Sequence, residues 1–306
     1  MEKCKLAFIG AGMIGAGLAV DALINGHPCA IYDVSDREHV VSTVRHIFDI
    51  LVDAGAVAAH MTAPCLARAQ FTNDLEQALS GAAFAQECVP ENLELKRSIY
   101  RNIQSICGPT VIIASSTSNI LPSDLQEEAL YPQRILVGHP YNPSYLLPLV
   151  EVCGGSQTSD QTVAETMEIY QSMGKFPILC RKERRGLLVN ELSIGVMEAA
   201  KQVVLNGVCT VEDMDRAIMY GPGLRMAVTG QILTMSLGVQ GGLRAAMAKY
   251  GREPNEADRI LADGVEAAIA SRPPEQGNTV DGVTRYRDRL LASILKEEGL
   301  LPFATT

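Results

Sequence analysis

The first part of the chain alternates short, mainly apolar runs with longer stretches that suit helices. The apolar runs have the length of buried strands and lie at 6–9, 30–32, 82–85, 111–114, 134–138, 149–152 and 176–180. The helix-compatible stretches lie between them, at 13–24, from about 36 to 58, and after Pro90. Strands that alternate with helices form parallel sheets covered on both faces. The pattern therefore predicts an α/β protein with a Rossmann-type, doubly wound, mostly parallel sheet.

The pattern changes after the run at 176–180. A charged segment, RKERRG, follows, and apolar residues then recur at helical spacing over 187–205, 255–270 and 284–298. Thr210 with Asp213 predicts a further helix start, and GPG at 221–223 predicts the end of that helix. We therefore expect two domains, 1–185 and 186–306, the second being all-helical. Helical domains with an apolar face commonly pair, so this domain is expected to dimerise the protein with a second copy.

Composition excludes several classes of function. Hydrophobic residues make up 47% of the 306 positions and charged residues 20%, which is ordinary for a soluble globular protein. The net charge of -9 disfavours nucleic acid and anionic membranes as partners, because both require clustered Lys and Arg. The eight cysteines form no C-x-x-C pair and no cluster with histidine. This favours reduced thiols in a cytoplasm, without a metal site or a disulfide framework.

The amino terminus imitates a secretory signal, because Lys3 and Lys5 precede the apolar segment LAFIGAGMIGAGLAV. Asp21 ends that segment, and cleavage would delete the first strand and its glycine turn. We therefore interpret the segment as part of the fold. No other segment approaches the ~18 uninterrupted apolar residues that a membrane span needs.

The first strand leads into a glycine turn and a helix. In GAGMIG, Gly10 permits a tight turn, Gly12 lets the backbone approach a pyrophosphate, and Gly15 allows the helix to pack closely on the strand. The second strand ends at Asp33, 21 residues after Gly12, close to the spacing of about 20 expected for a ribose-binding acid. Asp33 would repel a 2′-phosphate, and only Arg37 lies nearby to bind one. The sequence predicts NAD rather than NADP; the alternative is a glycine-rich turn in a structural or membrane helix.

A histidine and a glutamate stand twelve residues apart in the segment GHPYNPSYLLPLVEVCGG. His139 follows one predicted strand and Glu151 lies in the next, so neighbouring strands could bring the carboxylate to one imidazole nitrogen. A carboxylate there fixes the tautomer and stabilises the imidazolium, which makes the histidine a general base. The alternative is a histidine at a strand end and a glutamate paired with a surface lysine.

Several segments occur in the order and spacing of one known family. They are the glycine turn with Asp33, QECVPEN, ASSTSN, GHPYNP, LVEVCGG and LVNELSIGVMEA. On these segments the chain resembles the 3-hydroxyacyl-CoA dehydrogenase superfamily over nearly its whole length, most closely from Ala114 to Gly155. The match includes the family's twelve-residue interval between catalytic histidine and glutamate.

The resemblance implies reversible hydride transfer from the 3-carbon of a hydroxy acid, or a derivative of one, to NAD. It makes His139 the base, makes Glu151 its orienting partner, and has Ser118 and Asn190 bind the reacting oxygen. The candidate catalytic residues are therefore His139, Glu151, Ser118 and Asn190. The candidate cofactor-binding residues are Gly10, Gly12, Met13, Ile14, Gly15, Asp33, Glu87, Asn92 and Ser116, of which Glu87 and Asn92 match residues near the nicotinamide and its ribose.

Each of the less obvious candidates also has a structural reading. Ser118 could make a local turn bond, Asn190 could be a polar residue on a helix face, and Glu87 could be an acid at a helix entry.

The chain departs from the family pattern in two places, the first of which affects the expected contacts of the hinge between the domains and the second the substrate. Arg185, Gly186 and Leu187 stand where relatives usually have proline-glycine-phenylalanine, and Glu191 stands where arginine is usual. Residues 36–70 hold three arginines, four acids and no lysine, whereas acyl-CoA enzymes tend to be lysine-rich there, facing the nucleotide of CoA. The segment is therefore poorly suited to binding a CoA tail.

Within the superfamily, ASSTSNILPS, GHPYNPSYLLPLVEV and YGPGLRMAVTGQ look most like the branch containing lambda-crystallin, L-gulonate 3-dehydrogenase and L-carnitine dehydrogenase. That resemblance implies a small, free L-3-hydroxy acid as substrate, with Arg225 and Asn142 as its candidate contacts. Arg225 could bind a carboxylate bidentately or, alternatively, form an interhelical or dimer salt bridge.

A carnitine-like substrate would bring a quaternary ammonium, which proteins usually bind with aromatic faces. The chain has no tryptophan and only 5% aromatic residues, which weakens that option. Tyr141, Tyr145 and Tyr220 could still form a partial cage.

Other functions stay open. One is a short-chain L-3-hydroxyacyl-CoA dehydrogenase of fatty acid metabolism, and another, from a different class, is a non-catalytic NAD-binding or structural protein. A 3-hydroxyisobutyrate type of dehydrogenase would require a catalytic lysine, and Lys201 and Lys249 lack its surrounding motif.

Overall fold

A computed structural model describes residues 3–239, 242–249 and 255–300 of the chain. The chain divides into two compact units, Met1–Gly195 and Val196–Thr306. Among the described residues, none of the helices is both long and apolar enough to cross a membrane.

The described part of the first unit is built on one sheet of eight strands. The strands are β1 (Lys5–Ile9), β2 (Cys29–Tyr32), β3 (Ala69–Thr72), β4 (Ala82–Glu87), β5 (Ile112–Ser115), β6 (Ile135–Pro140), β7 (Leu149–Gly154) and β8 (Phe176–Cys180). Their order is β3-β2-β1-β4-β5-β6-β7-β8, and every neighbouring pair is parallel except β6 with β7. The expected mostly parallel sheet is confirmed.

Helices cover both faces of this sheet. They are α1 (Met13–Ile24), α2 (Arg37–Asp53), α3 (Thr62–Leu66), α4 (Leu75–Leu79), α5 (Leu93–Cys107), α6 (Pro122–Gln126) and α7 (Asp160–Ser172). Because strand side chains alternate between faces, Leu6 and Phe8 pack on one side with α1, α2 and α7, while Ala7 and Ile9 pack on the other with α4, α5 and α6. Two apolar cores result, as a doubly wound fold requires.

One helix, α8 (Val189–Leu205), crosses the division between the two units. The described part of the second unit continues with α9 (Val211–Ile218), α10 (Leu224–Thr229), α11 (Gln231–Leu237), α12 (Gly242–Lys249), α13 (Glu256–Ala270) and α14 (Val280–Glu297). No strand occurs among its described residues, which confirms the all-helical class. Thr210 accepts a hydrogen bond from the amide of Asp213 as the α9 cap.

The GPG sequence at 221–223 does not simply end a helix, as the sequence pattern predicted. Residues Met219–Gly223 form a π-helical turn that leads from α9 directly into α10. Gly221 has non-helical backbone angles there, so the chain bends without a loop. The helix is therefore interrupted at GPG, as predicted, but the prediction that it ends there is wrong, because helical structure is present on both sides of the interruption.

Candidate active site

His139 and Glu151 face each other across the one antiparallel strand pair of the sheet. They are direct register partners in β6 and β7, and His139 Nδ1 lies 2.9 Å from Glu151 Oε2. The His139 side chain is 12% exposed and that of Glu151 only 1%, so water does not compete for the contact. The hydrogen bond assigns Nδ1 to Glu151, which leaves Nε2 for a ligand.

The second carboxylate oxygen of Glu151 holds the start of α8. Glu151 Oε1 accepts hydrogen bonds from the amides of Leu188, at 2.7 Å, and Val189, at 3.1 Å. Such amides have no partner inside the helix and need an acceptor from elsewhere. Asn190 lies in the same first turn, so one buried carboxylate fixes both the imidazole and the helix end that carries Asn190.

A pocket of about 370 Å³ opens in front of the imidazole. It is lined by Ile14, Ser116, Ser118, His139, Pro140, Tyr141, Asn142 and Asn190. The structure thus brings Ser118, His139 and Asn190 together around one space, while the fourth candidate catalytic residue, Glu151, lies behind His139. The size suits part of a dinucleotide or a small metabolite.

Two of these lining residues have local partners that set their polarity. Ser118 Oγ accepts a hydrogen bond from the side-chain amide of Asn119 at 3.3 Å, which leaves the Ser118 proton available to a ligand. The Tyr141 hydroxyl lies 3.1 Å from Ser193 Oγ in the first turns of α8. Tyr141 therefore lines the pocket while its hydroxyl is held at α8. The sequence offered no signal for this role of Ser193.

The glycine turn has the geometry of a dinucleotide cradle. A Cβ on Gly15 would lie 1.9 Å from the Gly10 carbonyl oxygen, and one on Gly10, whose φ is +102°, would lie 2.8 Å from the Cys88 carbonyl oxygen. Both positions therefore require glycine, as the sequence implied. A Cβ on Gly12 would meet no atom within 4 Å, so Gly12 borders open space at the amino end of α1. That space is where a pyrophosphate would bind.

Asp33 closes the far side of this cradle. Its Oδ2 accepts a hydrogen bond of 2.7 Å from the amide of Ala11, and its Oδ1 one of 2.8 Å from Ser35. Partial burial by itself would raise the pKa of Asp33, but the amide hydrogen bonds from Ala11 and Ser35, together with the Ser35 side chain and the charge of His39, hold the pKa below its ordinary value. A cavity of about 200 Å³ beside Asp33 also has Arg37 in its wall. The residues present therefore fit an NAD molecule.

Glu87 is buried and is not among the residues that line the pocket of His139, so its assignment to the nicotinamide region stays a prediction. Its side chain has no exposed surface. Its Oε2 accepts hydrogen bonds from the hydroxyls of Tyr100, at 2.5 Å, and Ser115, at 2.7 Å, and its Oε1 lies 2.8 Å from Lys96 Nζ. A buried carboxylate must be paired and hydrogen-bonded, and both oxygens of Glu87 have their partners inside the protein. The burial of Lys96 beside Glu87 could not be predicted from the sequence, because a lysine in an amphipathic helix usually faces solvent.

The remaining candidates lie in different surroundings. Asn92 is exposed and caps α5, with Oδ1 accepting the amide of Leu95 at 2.9 Å. Arg225 lies in α10 of the second unit with an exposed side chain. Met13 is 62% exposed at the first position of α1. Their assignments to cofactor or substrate remain predictions.

Two family models match the chain. The model described as 3-hydroxyacyl-CoA dehydrogenase, NAD binding domain, matches residues 5–184. The model described as 3-hydroxyacyl-CoA dehydrogenase, C-terminal domain, matches residues 186–279.

Relatives and solved structures agree with this match. A protein of Pseudomonas aeruginosa named L-carnitine dehydrogenase is 34% identical and aligns with 96% of this chain and 94% of its own length. The crystal structure of 5-formyl-3-hydroxy-2-methylpyridine 4-carboxylic acid 5-dehydrogenase, an NAD+ dependent dismutase, superposes with a TM-score of 0.72 at 26% identity and covers 97% of this chain and 99% of its own. The (S)-3-hydroxybutyryl-CoA dehydrogenase PaaH1 from Ralstonia eutropha superposes with a TM-score of 0.67 at 27% identity, covering 90% of this chain and 98% of its own.

Proposed function

The chain belongs to the 3-hydroxyacyl-CoA dehydrogenase family and is an NAD-dependent dehydrogenase, and we propose that it oxidises the 3-hydroxyl of a small free L-3-hydroxy acid. The observation that carries the proposal is the contact of 2.9 Å between His139 and Glu151 at the pocket shared with Ser118 and Asn190. A base held in one tautomer beside two neutral polar side chains suits an alcohol better than a charged reacting group.

In this proposal His139 is the general base. Glu151 holds the proton of Nδ1, so the lone pair of Nε2 accepts the proton of the substrate hydroxyl. The imidazolium that forms is stabilised by the same carboxylate, which is 1% exposed and therefore little screened by water. Ser118 and Asn190 offer hydrogen-bond donors to the oxygen as it becomes a carbonyl oxygen.

NAD, when bound, supplies the hydride acceptor. The residues that would hold it are the backbone of the turn from Gly10 to Gly15 at the amino end of α1, with Asp33 for a ribose. Ile14 lines both that turn and the pocket of His139. The two sites are therefore continuous.

The free acid is favoured over a CoA thioester by the surface of α2 and its surroundings. Of the three arginines between 36 and 70, Arg68 donates to the carbonyl of Leu23 at 2.6 Å and is engaged inside the fold. Arg37 and Arg45 remain, and Glu38 and Asp49 stand in the same groove. Mixed charges of this kind bind a polyphosphate weakly. The relatives named L-carnitine dehydrogenase make L-carnitine the first acid to test.

The experiment compares NADH formation from L-carnitine, L-gulonate, L-3-hydroxybutyrate and L-3-hydroxybutyryl-CoA under identical conditions. We expect one of the free acids to give the highest kcat/KM. A preference for the thioester by orders of magnitude would replace the proposal with a short-chain acyl-CoA dehydrogenase, the reaction of the Ralstonia relative. NADH binding without turnover of any of the four would exclude these compounds as substrates and so contradict the proposed substrate class.

We further propose that the protein forms a homodimer through its second unit. The buried hydrophobic side chains described there are only Ala262, Val265, Ile269 and Val283. By contrast, Ile232, Ile260 and Leu261 are exposed and line an apolar groove of about 450 Å³. A helical unit with so small a core gains from covering such a groove.

A cytoplasmic location is supported by the eight cysteines, all of which are free thiols.

A further inference from the structure

A buried glutamine lies behind the pocket and contacts Ser116, which lines it, and Gly138, which precedes His139. Gln86, in β4, has no exposed surface. Its Nε2 lies 2.8 Å from Ser116 Oγ, 3.1 Å from the carbonyl oxygen of Gly138 and 3.3 Å from that of Ala114. Its Oε1 accepts a hydrogen bond of 2.5 Å from the hydroxyl of Tyr170. Every polar atom of the side chain is thus engaged.

The surroundings allow only one orientation of this amide. The carbonyl oxygens of Ala114 and Gly138 can only accept, so the atom between them must be the NH2 group. The hydroxyl of Tyr170 can donate, and it faces the amide oxygen. Tyr170 is itself held by edge-to-face packing on Phe84, with ring centroids 5.5 Å apart. Consequently Gln86 can only donate to Ser116.

This fixes the polarity of the Ser116 hydroxyl. Ser116 Oγ receives a hydrogen from Gln86, and Cys88 Sγ lies 3.0 Å away on another side. Burial raises the pKa of the Cys88 thiol to about 12, so the thiol keeps its proton at neutral pH and can fill the second lone pair of Ser116. Because the Gln86 NH2 group cannot accept, the proton of Ser116 can go only to Cys88 Sγ or to the pocket, of which Ser116 forms part of the wall.

The same amide holds the strand that carries His139. Gly138 precedes His139 in β6, and its carbonyl oxygen is one of the three acceptors within reach of the two hydrogens of the Gln86 amide group. A Cβ on Gly138 would lie 2.0 Å from the hydroxyl oxygen of Tyr170, so the absence of a side chain lets Tyr170 and Gln86 reach the strand. Two residues from β4 and α7 therefore fix both Ser116 and the backbone next to His139.

We propose that Gln86 is a positioning residue that keeps the Ser116 hydroxyl free to donate a hydrogen bond to the nicotinamide half of the bound dinucleotide and holds β6 in place at Gly138. The nicotinamide half is the partner because Ser116 follows β5, beside β4, and shares its pocket with Ile14 of the first turn of α1. A nicotinamide carries a carboxamide oxygen, which is an acceptor of the kind that a directed hydroxyl selects.

The test measures the Kd of NADH by its fluorescence, which needs no substrate. Gln86→Met keeps the length of the side chain and removes its amide, and we expect NADH to bind about 3- to 30-fold more weakly, the effect of one or two buried hydrogen bonds. Gln104→Met is the matched control, because Gln104 is equally buried and uses its amide on both backbone groups of Tyr131. The control should lose thermal stability and keep the affinity for NADH.

A double-mutant cycle separates positioning from general destabilisation. If Gln86 acts through Ser116, the double variant Gln86→Met with Ser116→Ala binds NADH no more weakly than the worse of the single variants. Additive losses, or wild-type affinity in Gln86→Met, would overturn the proposal. The cycle depends only on NADH binding, so its outcome stands apart from whether any hydroxy acid is oxidised.

A second variant keeps the test decisive if Gln86→Met does not fold. Gln86→Glu preserves the shape but, when ionised, offers only acceptors, so Ser116 must turn its proton inward. The ratio of its Kd for NADH to that of the wild type should rise from pH 6 to pH 9 as the buried acid loses its proton. A ratio within about twofold of unity at pH 9 would contradict the proposed polarity of Ser116.

Discussion

At the scale of single residues, the chemistry depends on which atom of each side chain is already committed. His139 has Nδ1 bound to Glu151, Ser118 accepts from Asn119, and Ser116 accepts from Gln86. Each of these contacts uses one hydrogen-bonding site of the residue and leaves a specific one for a ligand. The pocket therefore presents one proton acceptor and two hydroxyl donors, which is a suitable set for removing a proton from an alcohol.

The role of His139 can be tested with an uncharged residue of similar polarity. His139→Gln should lower kcat by about 10²- to 10⁴-fold, because the amide cannot take up the hydroxyl proton. The Kd of NADH, measured by fluorescence, should stay near the wild-type value. His60→Gln, at an exposed position, is the control and should keep full kcat. Turnover retained by His139→Gln would remove this residue from the proposed role.

Asp33 is predicted to set the choice of dinucleotide. Asp33→Ala removes the carboxylate that repels a 2′-phosphate, while Arg37 remains in the wall of the adjoining cavity. We expect the ratio of kcat/KM for NAD over NADP to fall by about tenfold or more, the factor that 1.4 kcal/mol represents. The comparison is Asp49→Ala, which removes an exposed carboxylate from α2. Unchanged discrimination in Asp33→Ala would place selectivity elsewhere.

At the scale of elements, one carboxylate couples a strand to a helix. Glu151 in β7 binds His139 in β6 through one oxygen and the first amides of α8 through the other. A displacement of the first turn of α8 would therefore be transmitted to the His139 imidazole through the Glu151 side chain alone. The position of Asn190 and the orientation of His139 are set by the same residue.

Glu151→Gln tests this coupling. If the amide oxygen stays on the amides of Leu188 and Val189, its NH2 group faces His139 Nδ1 and forces the ring proton onto Nε2. The base is then blocked, and kcat should fall by about 10²- to 10⁴-fold with NADH affinity kept. Glu183→Gln is the control, because Glu183 accepts bonds from the amide and hydroxyl of Ser123 in α6, away from His139. It should reduce the melting temperature and preserve kcat; wild-type kcat in Glu151→Gln would contradict the tautomer argument.

A second element contact gives a pH-dependent prediction. Asp21 of α1 pairs with Lys175, which also donates to the carbonyls of Ser144 and Leu147 and so ties the loop after β6 to α1. Burial raises the pKa of Asp21 to about 6, more than the charge of Lys175 lowers it. The folded protein therefore binds this proton more tightly than the unfolded chain, and the stability that Asp21 contributes falls as pH rises from about 4 to about 6.

Unfolding by urea at pH 4, 5, 6 and 7 measures the effect. The free energy of unfolding of wild type minus that of Asp21→Asn should decrease over this interval by on the order of 3 kcal/mol, at about 1.4 kcal/mol per pKa unit. Beyond pH 7 it should level off. The same difference for Asp49→Asn should stay flat, because that side chain is exposed. A flat difference for Asp21→Asn would mean that its carboxyl titrates normally.

At the scale of the whole molecule, the two units differ in how they bury apolar surface. The first unit has two cores, one on each face of its sheet. The described core of the second unit is centred on Val265, Ile269 and Val283, and several large apolar side chains around it are exposed. That imbalance is the physical argument for a second copy of the chain as the partner of the second unit.

The dimer can be tested by light scattering coupled to size exclusion. The wild type should have about twice the monomer mass of 32.9 kDa. Ile260→Asp puts a charge into the apolar groove and should shift the mass towards the monomer, whereas Arg259→Asp, outside the lining of the groove, should not. A wild type that runs as a monomer at micromolar concentration would refute the proposed assembly.

The sequence by itself determined the features that local patterns encode. The periodicity of strands and helices predicted the fold class. Gly10 and Gly15 could be recognised in the sequence because the turn has no room for a Cβ at either position and therefore requires glycine. The pairing of His139 with Glu151 could be expected because a short connection between neighbouring strands limits where the two can go. Asp33 could be proposed as the ribose-binding acid because it follows a strand at a fixed distance from the turn, and that role stays a prediction.

Only the tertiary structure decided which polar residues face the pocket and which support it from behind. Glu87 and Asp33 both follow the pattern of an acid at a strand end, yet Glu87 turns inward to Lys96, Tyr100 and Ser115. Gln86 and Tyr170 meet although 84 residues separate them. Periodicity reports burial and backbone conformation, whereas the partner of a buried polar group depends on which elements the folded chain brings together.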